Sequence, residues 1–113
     1  LVANAAKMQS VMQEEMARLK AKHPTVKGYR NIGLFGMVDL QKDSKGTPMA
    51  PYNGSSEAMV KLGARFRELG LFTFVRWGSF MANPPLIITE AQLREAWAVV
   101  DEALEVTHPY FEG

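Results

Sequence analysis

The sequence predicts an α+β fold, a small and mainly antiparallel sheet with helices packed on one face, and three observations predict it. Apolar residues recur every three or four positions in three separate stretches, as on the buried face of a helix. Leu34 to Gln41 alternates with a period of two, as a strand with two unlike faces does. Between Leu71 and Thr89 two short apolar runs, LFTFV and LII, are separated by Arg76 and the pair Pro84-Pro85. The order is then helix, strand, helix, two short strands, helix, and a two-layer domain is the simplest way to bury all the apolar faces at once.

Val2 to Lys22 carries Ala5, Met8, Met12, Met16 and Leu19 on one helical face. Lys20, Lys22 and His23 suit the negative pole of the helix, Glu14 stands four residues ahead of Arg18, and Pro24 stops the helix. The methionine stripe reads as core-facing; in a domain separated from a larger parent it is also the candidate surface for self-association. Leu1 already lies in the helical pattern with no cap before it, the expectation for a piece of a longer protein. Val26 to Ile32 reads as a connector with at most a short strand. In Leu34 to Gln41, Gly33 and Gly36 allow a bulge or a close approach by another backbone. Asp39 there is a lone carboxylate expected on the polar side of the sheet.

Lys42 to Ser56 is rich in turn residues and reads as a long loop. Ser55 or Ser56 caps the next helix, whose stripe is Met59, Leu62, Phe66 and Leu69 and whose end is Gly70. Its charges Lys61, Arg65, Arg67 and Glu68 read as a solvated face. Leu71 to Val75 and Leu86 to Ile88 are the two expected short strands. Thr89-Glu90-Ala91-Gln92 is a capping box, so the last helix begins at Glu90 and presents Leu93, Trp97, Val100 and Leu104 to the core. Arg94, Glu95, Asp101, Glu102 and Glu105 are expected to lie away from that face, and His108-Pro109 ends the helix.

With 113 residues and 47% hydrophobic content the chain suffices for one domain. Thirteen basic against twelve acidic residues, a net charge of +1, give no electrostatic reason to expect nucleic acid or an anionic membrane as partner. No apolar run reaches membrane-spanning length. The chain has no cysteine, which removes disulfides and thiolate metal sites, and a soluble, cytoplasmic protein is the expectation. His23 and His108 show no metal-ligand spacing.

Arg76 is the residue that suggests chemistry. A guanidinium at the rim of an apolar sheet offers a planar fork to a carboxylate and keeps its charge at any physiological pH. The competing reading is that its stem packs on Trp77 or Phe74 while its head pairs with a surface acid.

The segment FVRWGSFMANPPLIITEAQLREAW resembles the C-terminal portion of the class III, omega-amino acid, pyridoxal-phosphate-dependent aminotransferases. YRNIGLFGMVDLQKD is similar to the first strand of that same domain, normally written Arg-Gly-x-Gly-Leu. Arg30, Gly33 and Leu34 match, whereas Asn31 stands where glycine is usual. The resemblance implies a C-terminal small domain, residues 1–113, whose large cofactor-binding domain is absent. It also implies that Arg76, by its position before the double proline, pairs with the carboxylate of an amino or keto acid such as pyruvate and swings aside for uncharged amines.

In that family pyridoxal phosphate, the Schiff-base lysine, the aspartate partner of the pyridine and the phosphate loop belong to the large domain. The lysines here fall on helix faces or in loops, where an ammonium stays hydrated and protonated. No cofactor and no transamination are therefore expected of the isolated chain. The implied whole enzyme is a dimer, which leaves room for a homo-oligomer. The alternative from a different class is a freestanding interaction or small-carboxylate-binding module derived from such a domain.

Overall fold

In a computed structural model of the protein, residues 2–32, 35–51, 54–71, 74–82 and 88–113 are described. Helix α1 spans Val2–Lys22, strand β1 Val26–Ile32, β2 Phe35–Leu40, α2 Glu57–Glu68, β3 Phe74–Arg76, β4 Ser79–Ala82 and α3 Glu90–Leu104, followed by a 3-10 turn over Glu105–Tyr110. The strands form one antiparallel sheet in the order β1-β2-β4-β3. Two hairpins thus lie side by side, with α2 as the crossover between them.

The period of two in β2 decides which face the helices cover. Gly36, Val38 and Leu40 are buried, whereas Phe35 is exposed and Met37 and Asp39 are half-buried. Val38 stands opposite Phe80, which is fully buried and meets the ring of Phe66 edge-on at 5.3 Å. Helix α1 lies over this face: Met8, Met12, Met16 and Leu19 are at most 1% exposed. A Cβ at Gly36 would come within 2.8 Å of Met12 Cε and 3.5 Å of Met16 Sδ. The glycine therefore makes room for methionine side chains of α1, where a neighbouring backbone was expected. The methionine stripe is spent on this domain's own core, so the expectation that it offers surface for self-association is overturned.

Other boundaries follow from local chemistry. Ser56 Oγ accepts from the Met59 amide at the start of α2. At its end Gly70, with φ +81, lets its own amide reach the Arg67 carbonyl and the Leu71 amide reach Phe66. The capping box is closed both ways, Gln92 N–H to Thr89 Oγ1 at 3.1 Å and Thr89 N–H to Gln92 Oε1 at 3.0 Å.

The sheet departs from expectation in two places. Val26–Ile32 is a full strand, with its register shift between Val26 and Gly28 and none at Gly36; Gly33 lies outside the described residues. The strand beside β3 is Ser79–Ala82, and Ile88 is not in a strand, while Leu86, Ile87 and both central prolines lie outside the described residues. Backbone pairing to Gly36, Met37, Val38 and Asp39 of β2 makes β4 a strand despite its serine and alanine.

The last helix also ends earlier than expected, at Leu104, and Asp101 does not lie away from the core. It is 8% exposed and receives three cations or donors from the end of α1. His23 Nε2 is 2.6 Å from Asp101 Oδ1, Lys22 Nζ 3.0 Å from the same oxygen, and Arg18 Nη1 3.3 Å from Oδ2. His23 Nδ1 in turn meets His108 Nε2 at 2.7 Å. Burial alone would raise the Asp101 carboxyl, but hydrogen bonds from His23 and Lys22 outweigh it and hold it below the usual carboxylate value. Burial, with the charge of His23 adding to it and that of Glu105 opposing, pushes the His108 imidazole below its ordinary 6.5.

The folded chain therefore takes up a proton at His108 less readily than the unfolded chain. This contribution to stability is whole above about pH 6.5 and is lost as pH falls toward the lowered folded value. Urea midpoints at about pH 7.5 and about pH 5.5 should differ, and His108→Ala should shrink that difference. An undiminished difference in the variant would remove the histidine as its source.

Candidate functional site

The β3–β4 hairpin turns through Trp77 and Gly78. Trp77 has φ +53, a left-handed conformation that costs a residue with a Cβ about 1–2 kcal/mol. Surrounding structure enforces it. The Gly78 carbonyl accepts from the Leu40 amide at 2.8 Å, and a Cβ at Gly78 would lie 3.3 Å from the backbone nitrogens of both Met49 and Ala50. The hairpin tip is thus pressed against the end of β2 and the buried part of the 42–56 loop. Strain of this kind is held where geometry matters.

Its effect is to set the indole beside the arginine that precedes it. Arg76 closes β3 opposite Ser79, and its guanidinium carbon lies 4.4 Å from the centre of the Trp77 ring. The guanidinium is exposed to solvent. Of the competing reading, only the contact with Trp77 is realised and pairing with a surface acid is not: among the described residues no carboxylate binds Arg76. Arg18, Arg30, Arg65 and Arg94 each hold at least one.

Arg76 and Trp77 form one wall of an open cavity of about 450 Å³ at the outer edge of β3, lined also by Ser55, Met59, Val60, Arg67 and Val75. Among the described residues no acidic side chain lines it. Such a cavity attracts anions, and a fork backed by an indole is suited to a planar carboxylate.

The other candidates fall away. Asp39 uses both oxygens within the open sheet face, accepting from Ser79 Oγ at 2.6 Å and from Arg30 Nη1 at 2.7 Å. It staples β1, β2 and β4 and is not left over to act as a base. Lys27 lies in β1, where a loop or helix face was expected, and no lysine of the chain is buried. None sits in the enclosed pocket that a covalent Schiff base needs, so the residues present do not fit a covalent pyridoxal phosphate site. Among the described residues no group of three or more histidine, aspartate or glutamate side chains could hold a metal ion. Nor is any described helix long and apolar enough to cross a membrane.

No protein-family model matches the sequence. Individual proteins do. Over 118 aligned residues it is 28% identical to a taurine–pyruvate aminotransferase of Bilophila wadsworthia, covering 98% of this chain and 25% of that enzyme. The structure superposes with a TM-score of 0.89 on a taurine:2-oxoglutarate aminotransferase from Bifidobacterium kashiwanohense in complex with PLP and glutamate, at 30% identity over 96% of this chain and 25% of the other. The chain is built like one domain of an aminotransferase. A PLP-bound aminotransferase from Vibrio fluvialis agrees, with a TM-score of 0.82 and 25% identity over 96% of this chain and 24% of the other.

The aminotransferase-like domain thus spans about a quarter of the length of its relatives. Those structures carry pyridoxal phosphate, the cofactor of the full-length enzymes. Within the domain, Arg76 was legible in the sequence because it interrupts an apolar run. Arg67 was not: its sequence pattern groups it with its neighbours on α2 as a solvated face, and only the packing of α2 behind β3 brings it to the cavity of Arg76.

Proposed function

We propose that this chain is the C-terminal substrate-recognition domain of a class III pyridoxal-phosphate-dependent aminotransferase, and that Arg76 pairs with the carboxylate of the amino or keto acid. The reaction served is transfer of an amino group from an omega-amino acid or amine to a keto acid such as pyruvate. One observation carries the assignment: an exposed guanidinium, held over Trp77 by a strained turn and holding no described carboxylate, opens on a cavity lined by no described acid. The likeness to a quarter of each of several aminotransferases supports it.

The cofactor supplies the electron sink for transamination, and the lysine that would bind it lies in a large domain outside these residues. Isolated, the domain recognises a carboxylate and does not turn over amines.

In a full-length enzyme carrying this domain, Arg76→Ala is expected to raise KM for pyruvate roughly 10- to 100-fold, the value of a charge-assisted hydrogen-bond pair. An aldehyde acceptor, which has no carboxylate, should lose less than about threefold. Equal losses for both acceptors would refute the role of Arg76.

A further inference from the structure

We infer that Trp77 is a positioning residue for the acceptor's carboxylate. Its indole holds the Arg76 guanidinium in place and leaves that group's hydrogen-bond donors and charge to the ligand. The inference rests on the carboxylate role of Arg76 and names the contact that prepares it.

The chain holds its arginines in unlike ways. Arg18 is bound by Glu15 and Asp101, Arg30 by Asp39, Arg65 by Glu68, and Arg94 by Glu14, Glu15 and Glu90. Each such pair fixes a guanidinium by occupying its N–H groups and offsetting its charge, so less of it is left for an incoming anion. Arg76 is held by a ring. Its guanidinium carbon lies over the Trp77 indole, 4.4 Å from the centre. The attraction is between a positive charge and the negative face of the ring, and it consumes no N–H donor.

The backbone gives a second, independent reason. Trp77 has φ +53, a conformation that glycine adopts freely, that asparagine tolerates, and that a bulky side chain adopts against steric resistance. What holds the turn is backbone at the next residue: the Leu40 amide donates to the Gly78 carbonyl at 2.8 Å, and Gly78 is pressed against the nitrogens of Met49 and Ala50. Neither contact uses the indole. The turn thus carries a tryptophan where smaller residues fit with less strain, and what this residue adds includes the contact with Arg76.

The consequence for binding is entropic. An arginine at a strand end samples several rotamers, and a carboxylate that binds it must freeze them. A guanidinium already resting on an indole has given up part of that freedom before the ligand arrives. An acceptor without a carboxylate does not engage the fork and gains nothing from it. The size follows from a cation–π contact at an exposed guanidinium, roughly 2- to 5-fold in affinity.

The test uses a full-length enzyme carrying this domain, with pyruvate and propanal as three-carbon acceptors, one charged and one not. Trp77→Asn suits the left-handed turn and removes the ring. It should raise the ratio of KM for pyruvate to KM for propanal roughly 2- to 5-fold, and Trp77→Phe should restore part of the difference. In an Arg76→Ala background Trp77→Asn should add no further change, since the ring then has no guanidinium to hold. Thermal melts followed by circular dichroism show which variants are folded, and Trp77→Gly supplies a second ring-free enzyme. A ratio unchanged in the folded ring-free variants, or raised as much in the Arg76→Ala background as in the parent, would overturn the role of Trp77. The Arg76 reading fails separately, if Arg76→Ala alone leaves the ratio unaltered.

Discussion

Trp97→Ala is expected to remove about 3–5 kcal/mol of stability, the range for deleting a large aromatic from a packed core. Trp97 is 2% exposed on α3, the helix that packs against both α1 and α2. Truncation opens a cavity whose walls belong to different elements, so no single side chain can move to fill it. A domain of this size is stable by roughly 5–15 kcal/mol, and a loss of that order would leave a substantial unfolded fraction at moderate temperature. Trp97→Phe should cost clearly less, since most of the apolar volume remains. Denaturant unfolding by circular dichroism measures both; a loss below about 1 kcal/mol for the alanine variant would show that the helices hold together without this anchor.

The parts of the fold that could be read in advance are those fixed by chemistry within a few residues. Val2–Lys22 needed only the spacing of its methionines and Pro24, and α3 began where Thr89 and Gln92 close a capping box. What escaped was decided by distant partners. VKGYRNI contains a glycine, two cations and an asparagine and has little strand character of its own; pairing along β2 makes it a strand. In the same way SFMA has little strand character of its own, and it pairs because Phe80 sits between Val38 and Val75.

The site divides along the same line. The position of Arg76 is local, whereas its stacking on Trp77 depends on a positive φ that the packing of Gly78 against Met49 and Ala50 imposes. The approach of Arg67 depends on how α2 meets β3. Asp101 carried an unused signal. It lies four residues after Trp97 and three before Leu104, on the apolar stripe itself, where a carboxylate demands a partner.

That partner makes Asp101→Ala the second large effect, an expected loss of about 2–3 kcal/mol at neutral pH. The cost arises mainly at His23, which is 0% exposed and would keep a polar nitrogen with no acceptor where Asp101 Oδ1 had been. Arg18 and Lys22 add little, because both are about half exposed and water replaces their lost partner. Asp101→Asn should therefore cost less, about 1 kcal/mol, since an amide oxygen still accepts from His23 although the charge is gone. A double-mutant cycle separates this account from simple loss of packing. If His23 is the stranded group, Asp101→Ala combined with His23→Ala should cost less than the sum of the single losses by at least about 1 kcal/mol. Additivity within about 0.5 kcal/mol would mean that the imidazole and the carboxylate stabilise the domain independently. The clasp between α1 and α3 would then be two unrelated contacts rather than one hydrogen-bonded chain.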